Sequence, residues 1–166
     1  FKVMPDTRHP FIVKSNDFQV TALGTEFNVS AYPESPVITA TLISGSVLVE
    51  CNNLSPRNIL KPSEQLEYHK YTHQHHLTNP NMKEVTAWQR GELVFREMTI
   101  TEIITVLQRK YPYTFEYPLK SLKNDKYSFR FKDKAPLDEV MEVIVNVVGH
   151  LDFKIKEDRC YLIFKQ

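Results

Sequence analysis

The first half of the chain alternates apolar and polar positions with the period of two that is typical of half-buried β-strands. Segments 10–13, 18–32, 37–43 and 47–50 are rich in β-branched and aromatic residues, and turn-forming residues separate them. Two further short strands joined by a turn are predicted between residues 58 and 71. Because no helical period appears before about residue 98, this half is predicted to be all-β.

The alternation within segment 18–32 changes from even to odd positions. One extra residue must be accommodated at positions 23–25 to explain this change. Either a two-residue hairpin, which would pair Val20 with Val29, or a β-bulge could do so. The bulge is favoured, because it lets Leu23 face the core and the hairpin does not. We therefore expect a bend within one sheet.

The pattern changes after the polar segment 77–86, which is the best linker candidate. Residues 93–95 form a short predicted strand, and apolar residues at helical spacing then predict an amphipathic helix over 99–110. Thr99 and Glu102 have the spacing of a capping box, which places the start of this helix.

Strands are predicted at 113–117 and 127–131. A second helix is predicted to begin at Pro136 and to end at Gly149, and two strands joined across residues 157–159 close the chain. The order is β-α-β-β-α-β-β. Two helices packed on one face of a small mixed sheet would bury their apolar stripes economically.

The two halves differ in class, which predicts an α+β protein with an all-β domain over residues 1–84 and a small α/β domain over 85–166. The 166 residues carry a formal net charge of +1 with basic and acidic residues mixed, so nucleic-acid binding is not expected. No apolar run approaches the roughly 20 residues that a membrane span needs.

Four histidines stand close together at His69, His73, His75 and His76. On a single strand the first three would share a face, and His73 and His75 are near enough to share a metal. Glu67 is the nearest carboxylate, however, and the spacing matches no zinc template. A solvated edge strand or linker is therefore favoured, and a glycan- or metal-binding β module is kept as the alternative function.

Catalytic patterns are not found. There is no Gly-x-Ser-x-Gly elbow at a strand-to-helix turn and no glycine-rich loop that opens a helix. Cys51 and Cys160 lie among strand-forming residues in different predicted domains, which favours two buried free thiols over a disulfide. We predict no catalytic, cofactor-binding or metal-binding residue, and we do not expect an enzyme.

Two features bear on partner binding. Trp88 stands at the entry to the second domain and is predicted to pack at an interdomain seam rather than to stack on a ligand. A small sheet with helices on one face leaves strand edges that can accept a partner's strand, and residues 127–132 or 160–166 could serve in this way. Edges blunted by Lys and Arg side chains are the alternative.

Several motifs in order along the chain resemble the FecR family. Residues 20–32 resemble its Leu-Gly-Thr-x-Phe-Asn-Val signature, and residues 9–13 fit the segment just before it. Residues 45–47 resemble its Gly-x-Val motif, and residues 60–65 its Leu-x-Pro-Gly-Glu-Gln motif with Ser63 in place of the usual glycine. That replacement leaves the geometry of this turn open.

Residues 87–95, with the helix and the Arg109-Lys110-Tyr111 ending that follow, resemble the small C-terminal domain of FecR-type proteins of Bacteroidetes. That domain is related to the short N-terminal domain of secretins and TonB-dependent receptors. The family's β domain has several strands before the position of His9, so the resemblance implies that its first strands are missing from this chain. An open sheet edge could remain where they would pair.

FecR-family members are anti-sigma factors, or sigma regulators, anchored in the inner membrane by one span. The resemblance implies that this chain is the periplasmic sensing region, without the span. The implied partners are the signalling domain of an outer-membrane TonB-dependent transporter and an extracytoplasmic-function sigma factor, the latter through a cytoplasmic segment absent from this chain. Action by protein–protein contact, with no cofactor and no direct small-molecule ligand, is expected.

Overall fold

The structure is a computed structural model that describes residues 1–6, 8–15, 18–51, 57–118 and 124–165. The chain divides into two compact units, Phe1–Thr86 and Ala87–Gln166, each with its own buried core. The boundary lies two residues after the predicted one. The protein is α+β, because strands alone surround the first core whereas strands and helices surround the second.

The first unit consists of two four-stranded antiparallel sheets. Sheet 1 has the order β1-β2-β5-β6 and sheet 2 the order β3-β4-β7-β8. Their strands are β1 (Phe11–Ser15), β2 (Phe18–Ala22), β3 (Glu26–Ser30), β4 (Val37–Ser44), β5 (Val47–Cys51), β6 (Asn58–Leu60), β7 (Gln65–His69) and β8 (His75–Thr78). Alternate residues of β2, β5 and β7 are buried in one core, as their period of two predicts.

The parity change at residues 23–25 is the point where the chain passes from sheet 1 to sheet 2. Val20 pairs with neighbours in β1 and β5, whereas Val29 pairs with Ala40 in β4. The hairpin is therefore excluded. The favoured bulge is also wrong, because Leu23 is 48% exposed and does not face the core. Strands that switch sheets at such corners let two sheets share one core.

Gly24 permits this corner. Its φ is +127°, and a Cβ on it would lie 2.6 Å from the Cα atom of Pro5, which is closer than real atoms approach. The pairing of β3 with β4 is irregular next to the corner, between Glu26 and Phe27. The extra residue lies in β4, however, where the pairing skips Ile43.

The N-terminal segment covers the outer edge of β3. Val3 donates its backbone N–H to the carbonyl of Thr25 at 2.9 Å, and Phe27 donates to the carbonyl of Phe1 at 3.0 Å. The rings of Phe1 and Phe27 also stack, with centroids 5.1 Å apart. Residues 1–3 therefore supply both hydrogen bonds and apolar contact along this edge.

A short helix, α1 (Met82–Val85), ends the first unit, and a 3-10 turn at Ala87–Arg90 begins the second. Segment 77–86, predicted to be a linker without regular structure, therefore holds the end of β8 and all of α1. The elements of the second unit are β9 (Leu93–Thr99), α2 (Ile100–Lys110), β10 (Thr114–Glu116), β11 (Lys126–Phe131), α3 (Leu137–Val148), β12 (Leu151–Lys156) and β13 (Arg159–Phe164).

These strands form two small sheets instead of the single mixed sheet that was expected. One pairs β11 with β9, and the other has the order β10-β13-β12 with β10 and β13 parallel. The difference arises because β9 and β11 pair only with each other among the described strands. One core still joins both sheets to both helices.

Local signals place both helices. Thr99 accepts a hydrogen bond from the N–H of Glu102 at 3.3 Å, and Glu102 Oε2 accepts one from the N–H of Thr99 at 2.8 Å, which completes the capping box. Pro136 is the N-cap of α3 and not its first helical residue, while Gly149 ends that helix with φ +76°.

Ser63 occupies a glycine-like backbone position. The N–H of Glu64 bonds to the carbonyl of Lys61 at 3.0 Å, and Ser63 has φ +71°, so residues 61–64 form a type II turn with Pro62 at its second position. A residue with a Cβ is strained there, because type II turns favour glycine at this position.

We predict that Ser63→Gly raises the free energy of unfolding of the first unit by about 0.5–1 kcal/mol, since relief of strain exceeds the added entropy of the unfolded chain. Urea unfolding followed by the NMR signals of that unit measures the change. Ser63→Ala keeps the Cβ and is the matched control, for which no gain is expected. A loss of stability in Ser63→Gly would contradict the turn assignment.

Two buried threonines of the first unit differ in hydrogen bonding. Thr25 is 5% exposed and its Oγ1 has no partner among the described atoms, whereas Thr41 is 1% exposed and its Oγ1 bonds to Gln65 Oε1. A buried hydroxyl without a partner loses its hydration without compensation.

Thr25→Val should therefore stabilise the first unit by about 1 kcal/mol, and Thr41→Val should destabilise it by a similar amount. The same urea titration, applied to both variants, measures these opposite signs. Equal losses in the two variants would show that the Thr25 hydroxyl is satisfied in solution.

Candidate interaction site

The outer face of sheet 2 is a hydrogen-bonded polar surface. Gln65 Nε2 donates to Glu67 Oε1 at 2.8 Å, and Thr78 Oγ1 donates to the same oxygen at 3.2 Å. The polar groups of neighbouring strands therefore satisfy one another. Such a face offers a partner little apolar area to bury.

The outer face of sheet 1 instead carries an apolar row. Ile12, Thr21, Leu48 and Ile59 are successive cross-strand neighbours from β1 to β6. Ile12 is 44% and Ile59 68% exposed, and Leu23 at the corner is 48% exposed. A cavity of about 330 Å³ lies among the row and the corner. Exposed apolar surface of this kind is typical of contact sites.

The four histidines do not share a face, because a hairpin divides them. His69 ends β7, His73 lies in the turn with φ +55°, and His75 and His76 lie in β8. His73 Nδ1 lies 2.8 Å from Tyr68 Oη, which gives that ring a structural partner. Across the ranges that the structure describes, no three His, Cys, Asp or Glu side chains come together as metal ligands.

Trp88 is 60% exposed in the 3-10 turn, and its packing at an interdomain seam stays a prediction. Ala87, at 2% exposure, is the buried residue of that turn. Exposed tryptophan is uncommon on protein surfaces and is enriched at the centres of interfaces. Trp88 is therefore a contact candidate.

The residues that follow Trp88 fix the start of β9. Gly91 has φ +72°, its carbonyl accepts a bond from Lys110 Nζ at 2.7 Å, and a Cβ on it would overlap the carboxylate of Asp133. Glu92 accepts from Arg90 Nε at 3.0 Å and from Arg130 at 2.7 Å. This segment thus ties the end of α2 and strand β11 to β9.

Glu92 was not singled out from the sequence, although two arginines engage its carboxylate. Hydrogen bonds from Arg90 and then Arg130 lower the pKa of its carboxyl from 4.5 to about 2. Arg90, which stands two residues before Glu92, was a partial signal of this arrangement in the sequence. The partner 38 residues away, Arg130, becomes a neighbour only through the pairing of β9 with β11.

Both cysteines are free and buried, as predicted. Burial raises the pKa of Cys51 to about 11 and that of Cys160 to about 11. Thiols with such pKa values are almost wholly protonated near neutral pH and are therefore poor nucleophiles.

The two predicted docking edges have different outcomes. β11 pairs with β9 on one side and has no second strand neighbour within the described ranges. β13, expected to be an edge, is central over Arg159–Tyr161, where β10 and β12 flank it. Within the described ranges, its remaining residues, 162–164, pair with β12 alone. Gln166 lies outside the described residues.

A surface groove lies beside Tyr161 and Leu162 of β13. Its volume is about 650 Å³, and it is also lined by Gln108 of α2 and residues 115–118. Aromatic side chains from β10, β13 and the segment after β10 therefore meet at one surface of the second unit.

None of the helices in the described ranges has the length and apolar character required to cross a membrane.

Comparison with known proteins finds similarity to one family in the second unit and to solved structures along the whole chain. Residues 92–162 match the family model of the FecR C-terminal domain. Two crystal structures of candidate anti-sigma factors from Parabacteroides distasonis ATCC 8503, at 1.65 and 2.50 Å resolution, are similar in fold with TM-scores of 0.86. The first is 27% identical over 99% of this chain and 76% of that chain, and the second is 28% identical over 99% and 75%.

No curated protein matches the chain. The family match and the two structures nevertheless confirm the resemblance to FecR-family anti-sigma factors that the sequence motifs indicated.

We predict that the second unit loses stability as the pH falls from about 5 to 2, because the Glu92 carboxylate stabilises the folded state above 4.5 and is protonated near 2. NMR titration of the Glu92 side chain and urea midpoints across this range test it. Glu92→Gln should flatten the dependence. Glu142→Gln, on the exposed face of α3, should leave it unchanged, and an ordinary Glu92 titration would contradict the prediction.

Proposed function

Because residues 92–162 match the family model of the FecR C-terminal domain, we propose that this chain is the periplasmic sensing region of a membrane-anchored anti-sigma factor. It relays a signal from the signalling domain of an outer-membrane TonB-dependent transporter to an extracytoplasmic-function sigma factor. The observation that carries the proposal is the family match over residues 92–162, supported by similarity to candidate anti-sigma factors along 99% of the chain.

The relay works through protein–protein contact and without catalysis. In support, the exposed features are those that proteins use for association: the apolar row of sheet 1 and the exposed Trp88. The two thiols are buried and protonated, and the Glu92 carboxylate is engaged by two arginines. The two thiols and the Glu92 carboxylate therefore contribute to the folded structure, and the partner binds the exposed features instead.

Binding can act on the rest of the protein by shifting a population. A partner that prefers one conformation of the sensing region stabilises that conformation by its difference in affinity. In the proposed relay, this shift changes the conformation or the proteolytic exposure of the sensor, and release of the sigma factor follows.

The proposal predicts direct binding to a transporter signalling domain. The chain is immobilised, and the isolated signalling domains of the TonB-dependent transporters of its source organism are passed over it one at a time. We expect one of them to bind saturably, with a Kd in the micromolar range or tighter, since transient signalling contacts lie in that range.

The matched control is the same transporter without its signalling domain, which should not bind. If none of the signalling domains binds a folded sample, with folding checked by NMR, the proposed partner class is wrong.

A further inference from the structure

Two of the four clustered histidines share the outer face of sheet 2. In the pairing of β7 with β8, Glu67 lies opposite His76 and Tyr68 lies opposite His75. Tyr68 is fully buried in the core. Because successive side chains of a strand point to opposite faces, Glu67, His69 and His76 face away from the core. The hairpin thus brings together two histidines that are seven residues apart in the sequence.

The two imidazole rings lie close together on hydrogen-bonded backbone. Their centroids are 6.1 Å apart, and the ring planes are inclined by 75°. His69 pairs with Val37 of β4, and its N–H donates to the carbonyl of Gln74 at 2.9 Å, so paired backbone flanks it on both sides. His76 pairs with Glu67 inside β8. Side chains that project from paired strands are placed more precisely than those on loops.

Imidazole nitrogens in this arrangement suit a divalent transition-metal ion. Zinc, nickel and copper all favour imidazole ligands. Two nitrogens bound to one ion at about 2.0–2.1 Å each lie roughly 3–4 Å apart. Rings whose centroids are 6.1 Å apart reach that separation by side-chain rotation, without movement of the strands. Both histidines are at least partly exposed, so an ion and its coordinated water molecules have access to them.

Glu67 adds negative charge to this face without completing a site of three protein ligands. It lies opposite His76 and two positions before His69. Its Oε1 accepts hydrogen bonds from Gln65 and Thr78, which hold the carboxylate in place. Accordingly, no group of three metal ligands forms within the described ranges. The carboxylate charge nevertheless favours a cation at the neighbouring imidazoles.

The other two histidines of the cluster have different surroundings. His73 lies in the turn, where its Nδ1 is 2.8 Å from Tyr68 Oη, and His75 is on the opposite face of β8. The sequence grouped His69 with His73 and His75, because it treated the cluster as one strand. The hairpin replaces that group with the pair His69 and His76, which no spacing template describes.

We propose that His69 and His76 bind a divalent transition-metal ion between β7 and β8, with water molecules as the remaining ligands. β8 is the edge strand of sheet 2 and pairs with β7 alone among the described strands. An ion that joins one histidine of each strand therefore fastens this edge. The inference goes beyond the proposed function and does not depend on it.

The first test is an NMR titration of the wild-type chain, prepared without a histidine tag, with zinc chloride. We expect the imidazole signals of His69 and His76 to shift far more than those of the other four histidines, which are His9, His73, His75 and His150. Magnesium should shift none of them, because it prefers oxygen ligands. No shift at a large excess of zinc, or shifts confined to the other histidines, would overturn the site.

Single substitutions measured by titration calorimetry identify the ligands. His69→Ala and His76→Ala each remove one imidazole, and the Kd for zinc should rise at least about tenfold because the remaining nitrogen binds alone. His75→Ala removes the same group from the opposite face of β8 and is the matched control, for which a change below about twofold is expected. Equal affinity in the wild type and both site variants would overturn the assignment.

Hydrogen exchange tests whether the bound ion fastens the edge. Zinc should slow exchange of the β8 amides at least about threefold in the wild-type chain and in His75→Ala, since binding to the closed hairpin disfavours its opening. His76→Ala should show no slowing. Unchanged exchange in the wild type with zinc bound would overturn the fastening of β8. None of these measurements involves a signalling domain, so their outcome is separate from that of the proposed function.

Discussion

A β-strand has hydrogen-bonding groups on two sides, and the way in which each side is satisfied governs this molecule. In the first unit, strands switch between two sheets so that one core serves both, and residues 1–3 bond along the edge of β3. In the second unit, β13 joins β10 and β12 over Arg159–Tyr161. The fold of both units therefore follows from the requirement for paired backbone groups.

Features that depend on neighbouring residues could be predicted from the sequence. The capping box at Thr99 and the left-handed stop at Gly149 are local, and the structure has both. The sheet switch at residues 23–25 could not be distinguished from a bulge, because the two differ only in which distant strands lie alongside. The exposure of Trp88 and the partnership of Glu92 with Arg130 likewise depend on tertiary pairing.

The candidate site could be predicted only in part, because it also depends on which strands pair in the folded structure. Residues 160–166 were recognised as strand-forming, but sequence alone does not show which parts of a strand are flanked. The parallel pairing of β10 covers Arg159–Tyr161 and removes that stretch from consideration as a docking edge. Family resemblance gave the partner class, whereas the position of the groove required the register of the sheet.

The two buried cysteines give each unit its own internal reporter. Cys51 belongs to the first core and Cys160 to the second, and each is shielded from solvent while its unit is folded. Alkylation by a thiol reagent therefore requires local or global opening, and modification at each site can be resolved separately by mass. One unmodified chain thus reads out the opening free energies of both units at once, and shows which of them a bound partner holds closed.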